Sequence, residues 1–297
     1  MARAYDAFFQ RCQRGDRKAG FPRFKGKSRY DSFTYPQSGF RLEGNKLTLS
    51  KIGSCRLRLS REVEGKIKTC SIKKQVDGWF VIFAVEENQS RFTAKTGESV
   101  GIDVGLENFA TLSTGEVVEN PRCLRRAERA LRIQQRKVSK KKLRGSNRRK
   151  AVVLFAKKHL KVANQRRDFF HKLSLRMVRE FDEMAVEDLN IKGLVKNHSL
   201  AKSISDAAWG TFISVLESKA ANAGRRVWKV APQFTSQDCF KCGNRVKKSL
   251  AAREHRCVAC GYVTHRDYNA AQNILARTAP PARARVTSPD DQRIPLR

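Results

Sequence analysis

The sequence predicts an α/β protein. A mixed sheet with packed helices is preceded by a small antiparallel β domain and interrupted late in the chain by a four-cysteine knuckle. Three observations carry this. From residue 100 onward, strand-like and helix-like stretches follow in a β-β-β-α-β-α-β-α order, which allows a mixed sheet with its last helix packed on it. Residues 33–87 show short alternating runs around turn residues instead. Cys239-Phe-Lys-Cys242 and Cys257-Val-Ala-Cys260 stand fourteen residues apart, and two such turns aim four sulfurs at one centre.

Composition narrows the partners. The 297 residues include 62 Lys and Arg against 28 acids, a net charge of +34. Such an excess repels itself unless it meets a polyanion, and nucleic acid is the natural one. An anionic membrane surface is the runner-up, but the longest apolar run, Trp79 to Val85, is far below a membrane span. The N-terminus lacks an apolar signal core, so a cytoplasmic, nucleoid-associated protein is expected. Cys12, Cys55, Cys70 and Cys123 are scattered and are expected to be buried, inert thiols.

In order, Tyr5, Phe8, Phe9 and Cys12 have helical spacing, and Gly20-Phe-Pro-Arg-Phe-Lys-Gly breaks the helix. Phe40-Arg-Leu and Lys46-Leu-Thr-Leu flank Glu43-Gly44-Asn45, a hairpin turn. Ile67 to Gln75 and Trp79 to Val85 flank Asp77-Gly78, the strongest short hairpin signal. Arg56, Arg58, Lys66, Lys68, Lys73 and Lys74 decorate these strands. A small barrel gripping a phosphate backbone and a barrel with a merely solvated basic face both fit. The barrel is assigned to residues 31–92, with a polar linker over 88–97.

Val100-Gly-Ile-Asp-Val-Gly105 follows. Alternation puts Val100, Ile102 and Val104 on one face and Gly101, Asp103 and Gly105 on the other. Asp103 therefore stands on a face bare of side chains, with room for a metal ion and a phosphate. Phe109 to Leu112 and Glu116 to Val118 flank Thr114-Gly115, a second hairpin onto this strand.

Residues 121–181 are helical and carry 22 Lys and Arg against three acids. Arg144-Gly-Ser-Asn147 divides them into two helices, a basic hairpin suited to cradling nucleic acid. Phe155, Val162, Phe169, Leu173 and Met177 form an ordinary core stripe. Met184 to Leu189 is a further strand. Alternation alone does not choose between Glu187 and Asp188, but Glu187 beside small Ala185 repeats the uncrowded setting of Asp103. Ser205 to Ala223 predicts one helix, with Trp209, Phe212, Ile213 and Leu216 as core and Gly224 as its end. Arg226 to Val230 is the last sheet strand.

The four cysteines suit zinc, and Gly243 and Gly261 follow each pair where the turn needs no Cβ. Two disulfides are the alternative, but nothing suggests an oxidising compartment. A closed four-sulfur site has no open position, so one structural zinc is expected, with His255 and His265 as non-ligands. In the last helix Asp267, Ala270, Ala271 and Ile274 share a side. The alanines permit close approach to a sheet, although Asp267 could equally cap the helix. The final residues, 278–297, are rich in Pro, Arg and Ser and are expected to be disordered.

Asp103, Glu187 and Asp267 thus lie far apart in sequence but on uncrowded faces. Clustered carboxylates repel unless divalent cations sit between them, and oxygen donors suit two Mg2+ or Mn2+ ions. Such a pair supports phosphodiester hydrolysis.

Gly-Ile-Asp103-Val-Gly, Val-Glu187-Asp-Leu-Asn, Thr235-Ser-Gln-Asp-Cys-Phe-Lys-Cys-Gly and Arg266-Asp267-Tyr-Asn-Ala-Ala-Gln-Asn-Ile resemble the TnpB family of transposon-encoded, RNA-guided DNA nucleases, related to type V CRISPR effectors. Ile204-Ser-Asp-Ala-Ala-Trp209 and Gly20-Phe-Pro-Arg-Phe-Lys match as well. The resemblance covers roughly residues 5–277. It implies a RuvC-type, RNase H-like nuclease domain over 93–234 and 266–277, with Asp103, Glu187 and Asp267 holding the catalytic Mg2+ or Mn2+. It implies a zinc ribbon over 235–265, held by Cys239, Cys242, Cys257 and Cys260, and a wedge-like barrel before the nuclease domain. It also implies a guide RNA from the transposon end and a target DNA. Family members commonly show Asp-Arg-Asp where this chain has His265-Arg-Asp267, and the ligand is kept. The chain begins where the family's helical recognition region is nearly finished, so residues 1–30 correspond to a remnant of it, and the first wedge strand is expected to be absent. The competing expectation is a nuclease-silent nucleic-acid-binding remnant. A transposase proper ranks last, because no His-hydrophobic-His motif with a catalytic Tyr is visible.

Overall fold

The computed structural model describes residues 2–16, 19–23, 26, 30–86, 94–249 and 252–278. Most of the expected linker, and the expected disordered tail from residue 279 on, lie outside these residues. The chain divides into two compact units, Met1–Gln89 and Ser90–Arg297.

In the first unit, α1 (Ala2–Gln13) turns Tyr5 and Phe8 toward Phe21, edge-on at 5.5 and 5.3 Å. β1 (Ser32–Pro36), β5 (Lys66–Gln75) and β6 (Gly78–Glu86) form one antiparallel sheet in the order β1-β5-β6. β2 (Phe40–Glu43), β3 (Lys46–Leu49) and β4 (Gly53–Arg56) form another. Both expected hairpins are present, and Gly44 takes a left-handed φ of 50° in the first turn. The expected barrel is not confirmed: no ladder joins the two sheets among the described residues. They pack instead around a shared core of Leu47, Leu49, Cys70 and Ile72, edged by Tyr35, Phe40, Val81 and Phe83. Strands of four residues carry few ladder positions for the tilt and stagger that closure requires. Cys70 is buried as expected, but Cys12 and Cys55 are exposed and Cys123 is half-buried.

The second unit is built on a five-stranded mixed sheet. β7 (Ser99–Val104) lies at its centre, antiparallel to β8 (Asn108–Leu112), which in turn pairs with β9 (Val117–Glu119). On the other side β7 runs parallel to β10 (Glu183–Glu187), and β10 runs parallel to β11 (Arg226–Val230). The order is β11-β10-β7-β8-β9. Val100, Ile102 and Val104 are buried on one face, as alternation requires.

Helices cover that face. α2 (Cys123–Ser139) and α3 (Ser146–Glu180) form the expected hairpin, turned by Arg144 in the left-handed region. The C-terminal half of α3 contributes Phe170, Leu173 and Met177 to the core. Phe109 of β8 meets Phe170 at 5.7 Å and Phe212 at 5.1 Å. Each such buried side chain contributes about 1.5–3 kcal/mol relative to exposure.

The helix expected over 205–223 is broken. α5 (Ala201–Ala207) and α6 (Trp209–Asn222) meet at Ala208, which has φ 50°. The break has a tertiary reason. Arg122, at the N-terminus of α2, makes no side-chain cap. The Asp206 carboxylate of α5 instead accepts the Leu124 and Arg125 N–H groups at 2.9 and 3.2 Å. Trp209 meanwhile enters the core. A short α4 (Ile191–Leu194) precedes, capped by the Asn190 side chain.

α7 (Arg266–Ala276) packs against β7 and β10 through a separate small cluster, in which Ile274 meets Ala185 and Val230. Gly101 makes this possible. A Cβ there would lie 2.0 Å from the Ala271 carbonyl oxygen, so only glycine admits the helix backbone so close. No described helix is long and apolar enough to cross a membrane.

Candidate active site

Asp103 sits near the end of β7, Glu187 is the last residue of β10, and Asp267 lies in the first turn of α7. β7 and β10 are parallel neighbours in which Val186 pairs with Ile102. Glu187 and Asp103 are therefore each one residue beyond a paired position, at the same ends of adjacent strands. α7 lies over the face that Gly101 clears. Elements distant in sequence thus bring the three carboxylates to one region.

The electrostatics reflect that convergence. Burial pushes the Asp103 carboxyl well above the usual carboxylate range, the Glu187 and Asp267 charges push it further, and Arg266 opposes. Burial also raises Glu187, against the Thr235 hydroxyl and the Arg277 charge. Asp188 is exposed, whereas Glu187 is half-buried and its charge acts on Asp103. Asp267 is not the helix cap. The His265 side chain takes that place, its Nδ1 accepting the Asp267 N–H at 3.3 Å. The Asp267 carboxylate instead accepts from Arg266 Nε at 3.3 Å.

Among the described residues, one set of at least three ligand side chains brings its atoms within 4.8 Å of one another: Cys239, Cys242, Cys257 and Cys260. The three carboxylates do not close to that spacing. The two cysteine turns are alike. Gly243 N–H donates to the Cys239 carbonyl at 2.8 Å and Gly261 N–H to that of Cys257 at 2.9 Å, with φ 74° and 70° at the glycines. Cys239 and Cys260 sulfurs lie 3.8 Å apart, those of Cys242 and Cys257 3.5 Å. Burial raises the Cys257 thiol, but the Cys260 and Ala259 N–H groups and the neighbouring thiols draw it down to about 6. The same neighbouring thiols push Cys242 up to about 12, and four convergent sulfurs are the donor set that suits a soft cation. β12 (Glu254–Arg256) and β13 (Val263–His265) carry the second turn.

Neither histidine joins this set. His255 is fully buried, and its Nδ1 contacts Lys248 Nζ. Burial and the Lys248 charge both lower its proton affinity.

The sequence pattern did not reveal the seam between α7 and the knuckle. Asn269 Nδ2 donates to the Asp238 carbonyl at 2.8 Å, while its Oδ1 accepts the Phe240 N–H at 3.0 Å. Asn273 Nδ2 donates to the Thr235 and Asp238 carbonyls at 2.8 and 2.7 Å. Two asparagines at i and i+4 on an otherwise small-residue face were the available signal. Thr235 and Arg277 had none beyond their place in or near a motif.

Comparison with known proteins first defines the class. The chain shares its fold with a Cas12f1 protein whose structure is titled "Cryo-EM structure of the Cas12f1-sgRNA-target DNA complex", with a TM-score of 0.52 and 17% identity over 70% of this chain and 45% of that one. Residues 209–274 match the domain described as "Cas12f1-like, TNB domain", and residues 82–198 match the OrfB_IS605 family described as "Probable transposase". A "Putative RNA-guided DNA endonuclease" of Streptomyces pristinaespiralis is 40% identical over 88% of this chain and 66% of its own length. The "Putative RNA-guided DNA endonuclease InsQ" of Escherichia coli K12 is 32% identical over 93% of this chain and 71% of its own length. The chain belongs to the TnpB family. It spans about two thirds of the length of these curated relatives.

Proposed function

We propose that this chain hydrolyses DNA phosphodiesters at a RuvC-type site, directed by a guide RNA from the end of its transposon. The observation that carries the reading is that Asp103 and Glu187 stand at the same ends of adjacent parallel strands, while Asp267 is in the first turn of the helix that packs on the face cleared by Gly101. The names of its relatives support the same activity, and the Cas12f1 complex supports guide RNA and target DNA as partners.

The donor set fits hard divalent cations. Three carboxylates, of which Asp103 and Glu187 are half-buried, concentrate negative charge that Arg266 and Arg277 only partly offset. Asp103, Glu187 and Asp267 would hold these Mg2+ or Mn2+ ions, which when bound supply water activation and stabilisation of the leaving oxygen. The protein's own part is to fix the carboxylates on a rigid sheet and helix, and to draw the polyanion in through the basic α2–α3 hairpin.

In this scheme residues 31–92 serve as a wedge-like domain and residues 1–30 as part of a recognition region. Residues 93–234 with 266–277 form the nuclease domain, and residues 235–265 form a ribbon around one structural zinc.

The test is Mg2+-dependent cleavage of target DNA by zinc-loaded protein with its guide RNA. Asp103→Ala should lower the rate more than about 100-fold, beyond what loss of a residue behind a ligand costs. Unchanged cleavage would remove the active-site assignment. RNA and DNA binding without cleavage by the unaltered chain would leave a nuclease-silent binding protein.

A further inference from the structure

We infer that Thr235 is a positioning residue for Glu187, and that the zinc-bound segment reaches the candidate active site through it. The inference rests on the proposed reading of Glu187 as a metal ligand.

Thr235 is 3% exposed. Its hydroxyl donates a short hydrogen bond to Glu187 Oε1, with the Pro232 carbonyl, 3.2 Å away, as the competing acceptor. Thr235 is itself clamped. Asn273 of α7 donates to its carbonyl at 2.8 Å and to that of Asp238 at 2.7 Å. Asn269 adds a bond to the Asp238 carbonyl at 2.8 Å. The next residue, Cys239, is the first sulfur of the knuckle. The hydroxyl is thus held from one side by the helix that carries Asp267 and from the other by the knuckle.

Glutamate has one more rotatable bond than aspartate, and Glu187 stands where its strand ends. A hydrogen bond to one carboxylate oxygen selects a rotamer and leaves the second oxygen for an ion. Outer partners of this kind set ligand orientation and typically alter metal affinity by 10–100-fold. The knuckle thereby acquires a role beyond local stability: it fixes the register of the segment that aims Glu187.

The experiment compares Thr235→Val, which keeps the shape and removes the donor, with Thr235→Ser, which keeps the donor. Mn2+ binding is followed by electron paramagnetic resonance on the full zinc-loaded chain without nucleic acid, with zinc content and melting temperature measured alongside. Thr235→Val should weaken Mn2+ binding about 10–100-fold, while Thr235→Ser stays near the unaltered protein and both retain zinc. Wild-type Mn2+ binding by Thr235→Val, or equal weakening in the serine variant, would overturn the inference. If Thr235→Val fails to fold, Thr235→Ala against Thr235→Ser makes the same comparison, and the same two results uphold or overturn the inference. Asp103→Asn separates the levels. If it leaves Mn2+ binding intact, the proposed metal site is wrong and the inference falls with it. If it abolishes binding while Thr235→Val does not weaken it, only the inference falls.

Discussion

The four cysteines and the three carboxylates are both sets of potential metal ligands, yet they are assembled in opposite ways. The sulfurs come from two turns within residues 239–260, each turn closed by its own glycine and its own backbone hydrogen bond. The carboxylates come from residues 103, 187 and 267, on a central strand, its neighbour and a helix packed across them. The first set is local and converges within 4.8 Å. The second depends on strand register and on how closely a helix can approach. A local set should therefore fail locally when altered, and a distributed set should respond to changes far from its own side chains.

The largest expected effect strikes the local set. Cys257→Ser should abolish zinc binding, since structural zinc in small peptides contributes on the order of 10 kcal/mol to folding. Elemental analysis should fall from about one zinc per chain to near none. If the variant kept its zinc, the four-sulfur assignment would be wrong. The sheet core around Phe109 and Phe212 draws nothing from the knuckle, so most of the helical circular dichroism should survive.

Gly101→Ala probes the distributed set without touching a carboxylate. The added methyl would meet the Ala271 carbonyl at 2.0 Å, so α7 must shift and take Asp267 with it. Denaturant titration should show a loss of about 1–3 kcal/mol, together with weaker Mn2+ binding. A stable variant with normal metal affinity would show that close approach is unnecessary.

A pH-dependent effect concerns the entry to β10. The Thr96 N–H most strongly holds the Asp182 carboxyl below its ordinary value; burial pushes it up, and the Gly97 N–H, the Arg225 charge and the Thr96 hydroxyl add to the lowering. The Arg225 side chain is only 2% exposed and pairs with Asp182. A depressed carboxylate stabilises the fold above its unfolded pKa of about 3.9, and that contribution is lost as pH falls through the folded value. Asp182→Asn should therefore be less stable than the unaltered chain at neutral pH, and the gap should close below about pH 4. A gap independent of pH would exclude the charge as its source.

The smallest effect belongs to an exposed local pair. Lys172 and Asp168 meet at 2.8 Å, one helical turn apart, with both side chains largely in solvent. Lys172→Ala should change stability by less than about 0.5 kcal/mol, within the error of most denaturant curves. A larger loss would mean that α3 has contacts beyond those of its buried stripe.

These cases mark what could be read from the chain. The hairpins at Gly44 and Asp77-Gly78, the split at Arg144, and the inward Val100, Ile102 and Val104 follow from turn chemistry and alternation. The close approach of the Ala270-Ala271 helix to the sheet was legible because small residues signal it, although its meeting point at Gly101 was not. Whether the strands of residues 31–92 close into a barrel was not decidable, because alternation specifies faces and not which edges meet. The break at Ala208 was hidden as well, since nothing in Asp206-Ala-Ala-Trp announces that Asp206 caps another helix.

The sequence by itself determined the sulfur knuckle, the basic character of the hairpin and the identity of the inward faces. Each depends on interactions within a few residues, where chain geometry leaves few alternatives. Only the tertiary structure decided that Glu187 rather than Asp188 turns toward Asp103, that His265 rather than Asp267 caps α7, and that Thr235 reaches Glu187. Those outcomes arise from contacts between distant segments, whose register and separation are set by packing of the whole domain.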